Sequence, residues 1–288
     1  MNIKDEQLWE NLAISNDFIF SKVMRDKELC RETLEVFLDK KVGEINYIDE
    51  QKTIDLRHDS KSIRLDVYVE DEGRIYDVEM QVVNKKDLAK KSRYYQSMID
   101  LDAIEKGKLY DKLKDNIVIF ICKFDPFGKS LPRYSFENIC IENKELYLED
   151  GTSKVFFNAK DHDKESREDL KSFLKYVESN VVGENDFVKK IAKKVKEIKE
   201  NKEMRAEYMT LLMREREIAQ ESFEKGKVEG IEEGIVKGKA QGLEEGISRG
   251  IRNLYDSLKG LGIEREIIKK ELMSKYELSE EETQKYLQ

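Results

Sequence analysis

The chain has 288 residues, 40% of them charged and 39% hydrophobic, with 61 acidic against 53 basic side chains and a formal charge of −8. That sign argues against a protein that coats nucleic acid non-specifically, though it leaves room for a local basic patch. The hydrophobic fraction suffices for a buried core, and the longest wholly apolar run, 117–122, is far short of the ~20 residues a membrane span needs.

The first helical pattern covers 8–39, where Phe18, Ile19, Val23, Leu34, Phe37 and Leu38 recur at helical spacing and Ser15-Asn16-Asp17 offers a cap or break. From 45 to 83 the period shifts to two, with β-branched and aromatic residues in INYIDEQKTIDL, SIRLDVYVE and RIYDVEMQVV, so strands are expected. A helix should follow over 88–106, closed by Gly107. NIVIFICKF suits a strand buried on both faces. Both prolines, Pro126 and Pro132, fall in FDPFGKSLPRY, which reads as a loop. YSFENICIE and KELYLEDGTSKVFF are further strand or hairpin candidates with Asp150-Gly151 as the turn. A short amphipathic helix is expected over 169–178.

Beyond residue 182 the character changes. Residues 189–202 hold seven lysines and two glutamates around Ile191, Val195 and Ile198, a basic helical face. Glycine then stands at 226, 230, 234, 238, 242, 246 and 250, and two short helices are expected after 254. The organisation predicted is an α/β core over 1–180 and a helical, charged tail over 181–288. Seven glycines cost a helix about 1 kcal/mol each relative to alanine. Close approach of a partner helix would offset that, with a right-handed wrap because the repeat exceeds 3.6 residues. Homo-oligomerisation through the tail is therefore expected, against the plainer alternative of a flexible charged linker.

The chemistry concentrates in IRLDVYVEDEGRIYDVEMQ. Two strand-like runs flank Asp71-Glu72-Gly73-Arg74, where glycine allows the positive φ of a tight hairpin turn. A turn centred on Glu72-Gly73 places Asp66 opposite Glu79, on one sheet face with Gln81. Facing carboxylates repel, and a divalent cation resolves the conflict, since Mg²⁺ is commonly held by one or two carboxylates, waters and substrate phosphates. The Met80 carbonyl would be a further ligand. Spacing alone equally allows an exposed face where both carboxylates sit in water. Elsewhere little competes. Cys30, Cys122 and Cys140 lack metal-ligand spacing, and Cys122 reads as a small core hydrophobe. With only His58 and His162 a His-rich zinc centre is nearly excluded, and His58 reads as a surface-loop residue. MNIKDEQLWE holds no apolar signal core, so a soluble cytoplasmic protein is expected.

Asp followed by Glu-x-Gln on adjacent strands resembles the PD-(D/E)XK nuclease superfamily, and more closely its recombination-promoting nuclease and transposase family. The matching stretches are NDFIFSKVM (16–24), LDVYVEDEGRIYDVEMQ (65–81), RYYQSMIDLDAIEKGKLYDKL (93–113), IFICKFDPFGKSLPRYSFENICIE (119–142) and LYLEDGTSKVFFNAK (146–160). The resemblance spans roughly 10–180 and implies a restriction-endonuclease-like core, a mixed central sheet flanked by helices. It implies Asp66 and Glu79 as metal ligands, with Gln81 in the place of the superfamily lysine. Leu65 stands where a proline would precede the aspartate. Glutamine supplies neither a general base nor a cation, so metal-bound hydroxide is expected to suffice, with Gln81 only orienting water. The resemblance further implies accessory roles for Asp17, whose alternative is a helix cap, and for Arg93 with Tyr94 or Tyr95, whose alternatives include core packing. The function expected is a Mg²⁺-dependent DNA endonuclease, with Mn²⁺ as substitute. The rival expectation is a non-catalytic DNA-binding or assembly protein that keeps the fold.

Overall fold

A computed structural model describes residues 3–50, 52–55 and 62–287. His58 lies outside the described residues. The chain divides into two compact units, Met1–Thr210 and Leu211–Gln288.

The first unit opens with three helices, α1 (Ile3–Glu10), α2 (Asp17–Met24) and α3 (Lys27–Leu38). The periodic stretch is thus broken twice. Asn16 caps α2 by accepting from the Ile19 amide (3.3 Å), and Asp26 caps α3 by accepting from that of Leu29 (3.2 Å). Both are short polar side chains suited to satisfying first-turn amides that have no helical acceptor. The strands are β1 (Tyr47–Glu50), β2 (Thr53–Ile54), β3 (Ile63–Arg64), β4 (Val67–Glu70) and β5 (Arg74–Gln81). Helix α4 (Leu88–Ala103) follows, then β6 (Asp115–Cys122), β7 (Arg133–Phe136) and β8 (Thr152–Asn158). Helices α5 (Glu168–Ser179) and α6 (Asp186–Glu200) complete the packing before α7 (Lys202–Gly260).

Six strands form a mixed sheet in the order β1-β4-β5-β6-β8-β7, parallel where β6 meets β5 and β8 and antiparallel elsewhere. The strand expected over NIVIFICKF is β6, the sheet's buried centre, with Val118 through Cys122 fully enclosed. Such an apolar run fits a strand that meets helices on both sides. On one face Ile75 and Tyr68 pack with Met98 and Ile99 of α4. On the other, Phe37 of α3 meets Phe157 of β8 and Phe173 of α5 at 5.1 Å each between ring centres. The sheet is therefore a α/β sandwich layer, as expected.

The β4–β5 hairpin keeps the anticipated register, with Val67 opposite Val78 and Tyr68 opposite Asp77. Its turn works differently. Gly73 does not adopt positive φ. Instead the Asp71 carboxylate accepts from the amides of Gly73 (3.0 Å) and Arg74 (2.8 Å) and from the Tyr76 hydroxyl (2.8 Å). A buried aspartate, not a left-handed glycine, closes this turn. Gly151, at the other expected turn, does have φ +71, and a Cβ there would collide with Asp115 Oδ1.

The lysine-rich segment is α6, whose Phe187, Val188, Ile191, Val195 and Ile198 are buried. The first turns of α7 also belong to this unit. Tyr208 packs at 5.4 Å from Trp9 and 5.3 Å from Phe18, and Glu207 accepts from the buried Lys22 ammonium (2.8 Å).

In the second unit the glycine repeat lies within α7, and the helix runs unbroken to Gly260. No break occurs near residue 254. Gly262 (φ +75) turns the chain into α8 (Arg265–Tyr276) and then α9 (Glu280–Gln284). Ile251, Ile268, Leu272 and Leu287 form a small core there. No helix among the described residues is long and apolar enough to cross a membrane.

Candidate active site

Residues two apart on a strand share a face. On β5 that face carries Ile75, Asp77, Glu79 and Gln81. Across the hairpin it carries Tyr68, and Asp66 one residue before β4. Asp66 and Glu79 are opposed and interlocked. The Asp66 amide donates to Glu79 Oε1 (2.8 Å), and the Met80 amide donates to Asp66 Oδ2 (2.9 Å). The alternative of an exposed, solvated face is excluded, because α4 covers it and the Glu79 side chain is only 2% exposed.

Burial raises the proton affinity of every carboxyl here. It pushes the Asp66 carboxyl up to about 8, helped by the neighbouring Glu79 charge and, further off, by Asp17, while the Met80 amide pulls back. Glu79 is also raised by burial, though Lys91 and the Asp66 amide oppose the shift. Asp77 is the extreme case. It is fully buried, neither oxygen has a hydrogen-bond partner among the described residues, and burial followed by the Glu79 and Asp66 charges holds it well above the usual range.

Lys91, on the first turns of α4, donates to Glu79 Oε2 (2.9 Å). Its ammonium lies 4.8 Å from the Tyr95 ring centre and 5.4 Å from that of Phe120. Burial works to lower this ammonium, but Glu79 and Tyr95 outweigh it and keep it charged. Lys91 and Tyr95 stand one turn apart on one helix side, an i,i+4 pair.

The anticipated residues thus separate. Asp66, Glu79, Gln81 and Tyr95 share this region, and Asp17 is near enough for its charge to raise both ligand candidates. Asp17 is the first residue of α2 and, among the described residues, bonds only the adjacent Phe18 amide (2.8 Å), since Asn16 takes the capping role. Tyr94 packs with the core under α4. Arg93 is exposed, two residues and ~200° round the helix from Lys91. Gln81, half-buried, ends β5. Cys122 is fully buried and its thiol is pushed up to about 12 by burial, in keeping with a core role.

Sequence reasoning missed Lys91 and Asp77. Asp77 was legible, since D-x-E-x-Q alternates onto one face. Lys91 was not, because only the docking of α4 on the sheet brings it to Glu79.

A family model, PD-(D/E)XK nuclease family transposase, matches residues 15–229. The chain belongs to this family. The match takes in both carboxylates, Lys91 and the whole sheet, and gives the PD-(D/E)XK fold and a nuclease or transposase-related function. No curated protein and no solved structure matches the chain.

The Asp66–Glu79 pair suits a divalent cation by its donor chemistry: a half-buried and a buried carboxylate oppose each other across the hairpin, and burial penalises their unscreened charge. Among the described residues no group of three His, Cys, Asp or Glu side chains completes a protein-only cage. A cavity of about 430 Å³ lies at the opposite strand ends, lined by Lys41, Arg74, Tyr76, Arg133 and Tyr147, and contains none of the carboxylates that face α4.

Proposed function

We propose that this chain is a metal-dependent DNA endonuclease that hydrolyses phosphodiester bonds, and that it serves recombination or mobile elements. The observation that carries the reading is the interlocked Asp66–Glu79 pair with a lysine fixed against it. Asp66 and Glu79, with the Met80 carbonyl, would hold Mg²⁺ or Mn²⁺. When bound, such an ion stabilises charge on a phosphate oxygen and acidifies a water. Lys91 supplies the fixed positive charge that Gln81 lacks and faces the scissile phosphate from α4. Gln81 orients the attacking water through its amide. Tyr95 walls the Lys91 ammonium from bulk water, and Asp17 and Arg93 act as accessory groups at the margin. The protein works in the cytoplasm, where Cys30, Cys122 and Cys140, all free, stay reduced.

Plasmid cleavage tests the assignment. Purified protein is expected to cut with Mg²⁺ or Mn²⁺ and not with EDTA. Folded protein that never cuts with either ion, yet binds DNA, would establish the rival role of a binding or assembly protein that keeps the fold.

The tail acts in self-association. An added Cβ at Gly226, Gly230, Gly234, Gly238, Gly242 or Gly246 meets no described atom of the chain within 4 Å, so these glycines serve no packing of its own. Ile231, Ile235, Leu243 and Ile247 beside them are exposed. Sedimentation of a chain truncated after residue 220 is expected to show loss of oligomers; an unchanged association state removes this role.

A further inference from the structure

Immediately after Gln81 come two consecutive exposed valines, Val82 (53%) and Val83 (65%). They are followed by Asn84, Lys85 and Lys86. This loop is built, not loose: Asn84 Oδ1 accepts from the Lys86 amide (2.9 Å) and Lys86 holds φ +60. The Lys123 amide bonds the Gln81 carbonyl (3.0 Å), so the neighbouring strand end is pinned beside it. Lys85, Lys86 and Lys90 are exposed, as is Lys129 on the loop after β6, and none forms an ion pair with a described carboxylate. Many other surface lysines of this acid-rich chain are paired, among them Lys41, Lys108, Lys114 and Lys190. The segment that leaves the Gln81 strand end therefore carries two exposed lysines without a described carboxylate partner directly after an apolar pair.

Resting on the nuclease reading, we propose that Val82 and Val83 form a wedge that packs against unstacked bases next to the scissile phosphate, so that the preferred substrate is DNA with locally disrupted stacking. Lysines alone read phosphates without discriminating one duplex from another. Apolar side chains gain by leaving water, and beyond the thymine methyl of the major groove the large apolar surface of DNA is the base face exposed when a step unstacks. A mismatch, a bulge or a single-strand boundary has already met part of that cost. Reach is sufficient: at ~3.3 Å per extended residue, Val82 lies within about 10 Å of Glu79 along the chain, about three base-pair steps.

The test is binding of the full-length protein in EDTA to a labelled, fully paired duplex and to the same duplex carrying a bulge. Wild type is expected to bind the bulged DNA about tenfold more tightly. Val82→Thr with Val83→Thr, which keeps β-branching at exposed positions, should erase that preference and leave affinity for the paired duplex unchanged. Lys85→Gln with Lys86→Gln should weaken both DNAs alike and lower the salt slope by about 1.8, the value for two phosphate contacts. Equal wild-type affinity for the two DNAs, or a preference that survives the threonine pair, overturns the wedge while metal-dependent plasmid cutting would still stand. Binding of neither DNA overturns the wedge as well, and metal-dependent plasmid cutting then decides the nuclease reading separately.

Discussion

Asp66→Asn is expected to abolish cutting, by about 10³-fold or more, and at the same time to make the protein more stable at alkaline pH. Asparagine keeps an oxygen for the Met80 amide but removes the charge that would hold the cation. The stability gain follows from the same burial that suits the site to a metal. The Asp66 carboxyl stands at about 8 in the folded chain against the ordinary 3.8. An acid whose folded value is raised binds more protons folded than unfolded between those values, so stability falls as pH rises across that window. Below about pH 4 both states are protonated and the penalty vanishes; above about pH 8 it is complete. Urea unfolding at pH 5 and pH 9 should therefore show the variant gaining on wild type by a few kcal/mol between the two. Equal pH dependence in the two proteins would mean that Asp66 is ionised at neutral pH without strain, and the argument for a charge-starved pair would fail. Added Mg²⁺ should stabilise wild type at pH 9 and leave the variant unmoved, since ligand oxygens must be deprotonated to bind.

Much of this site could be read from the chain because a hairpin is local. Period two fixes which residues share a face, and a short turn fixes which are opposite, so Asp66, Glu79 and Gln81 followed from counting. The turn chemistry did not follow. DEG suggested a left-handed glycine, whereas Asp71 is buried and captures two amides and a tyrosine hydroxyl, an arrangement that depends on Tyr76 arriving from the other strand. The long helical pattern at the start hid a second break for a related reason. Asp26 caps α3 with the same kind of bond as Asn16, but no glycine or proline marked it. Lys91 lay furthest from view. It is ten residues beyond Gln81 on a helix with two adjacent lysines, and nothing in one sequence distinguishes the lysine that faces Glu79 from Lys90 beside it. Non-local placement decides that, through Met98, Ile99 and Tyr95 anchoring α4 to the sheet. Gly226 to Gly246 present the opposite case. The repeat was plain in the sequence, and the chain's own fold gives it no packing duty.

Lys91→Met is expected to lower cutting by 10²- to 10³-fold, roughly the effect of removing one charged donor from a developing anion. Stability should drop as well, because Glu79 is then left buried with only the Asp66 amide; breaking a buried pair costs about 3–5 kcal/mol, less whatever Glu79 recovers by taking a proton. Loss of activity alone would not separate two roles: holding Glu79 in place, or presenting charge to the phosphate. A second change does. Gln81 shares the strand face with Glu79, and Gln81→Lys puts an ammonium back from the strand instead of the helix. If the charge is what matters, the double variant Lys91→Met, Gln81→Lys should regain at least tenfold over Lys91→Met alone, while Lys91→Arg alone keeps part of the activity because it retains the cation. If Lys91 only clamps Glu79, the strand lysine restores stability without restoring cutting. Gln81→Lys in the otherwise unchanged chain should add little, since one ammonium already serves the site; a large gain at neutral pH would mean that Lys91 does not face the phosphate, and that the site lacks the cation assigned to it.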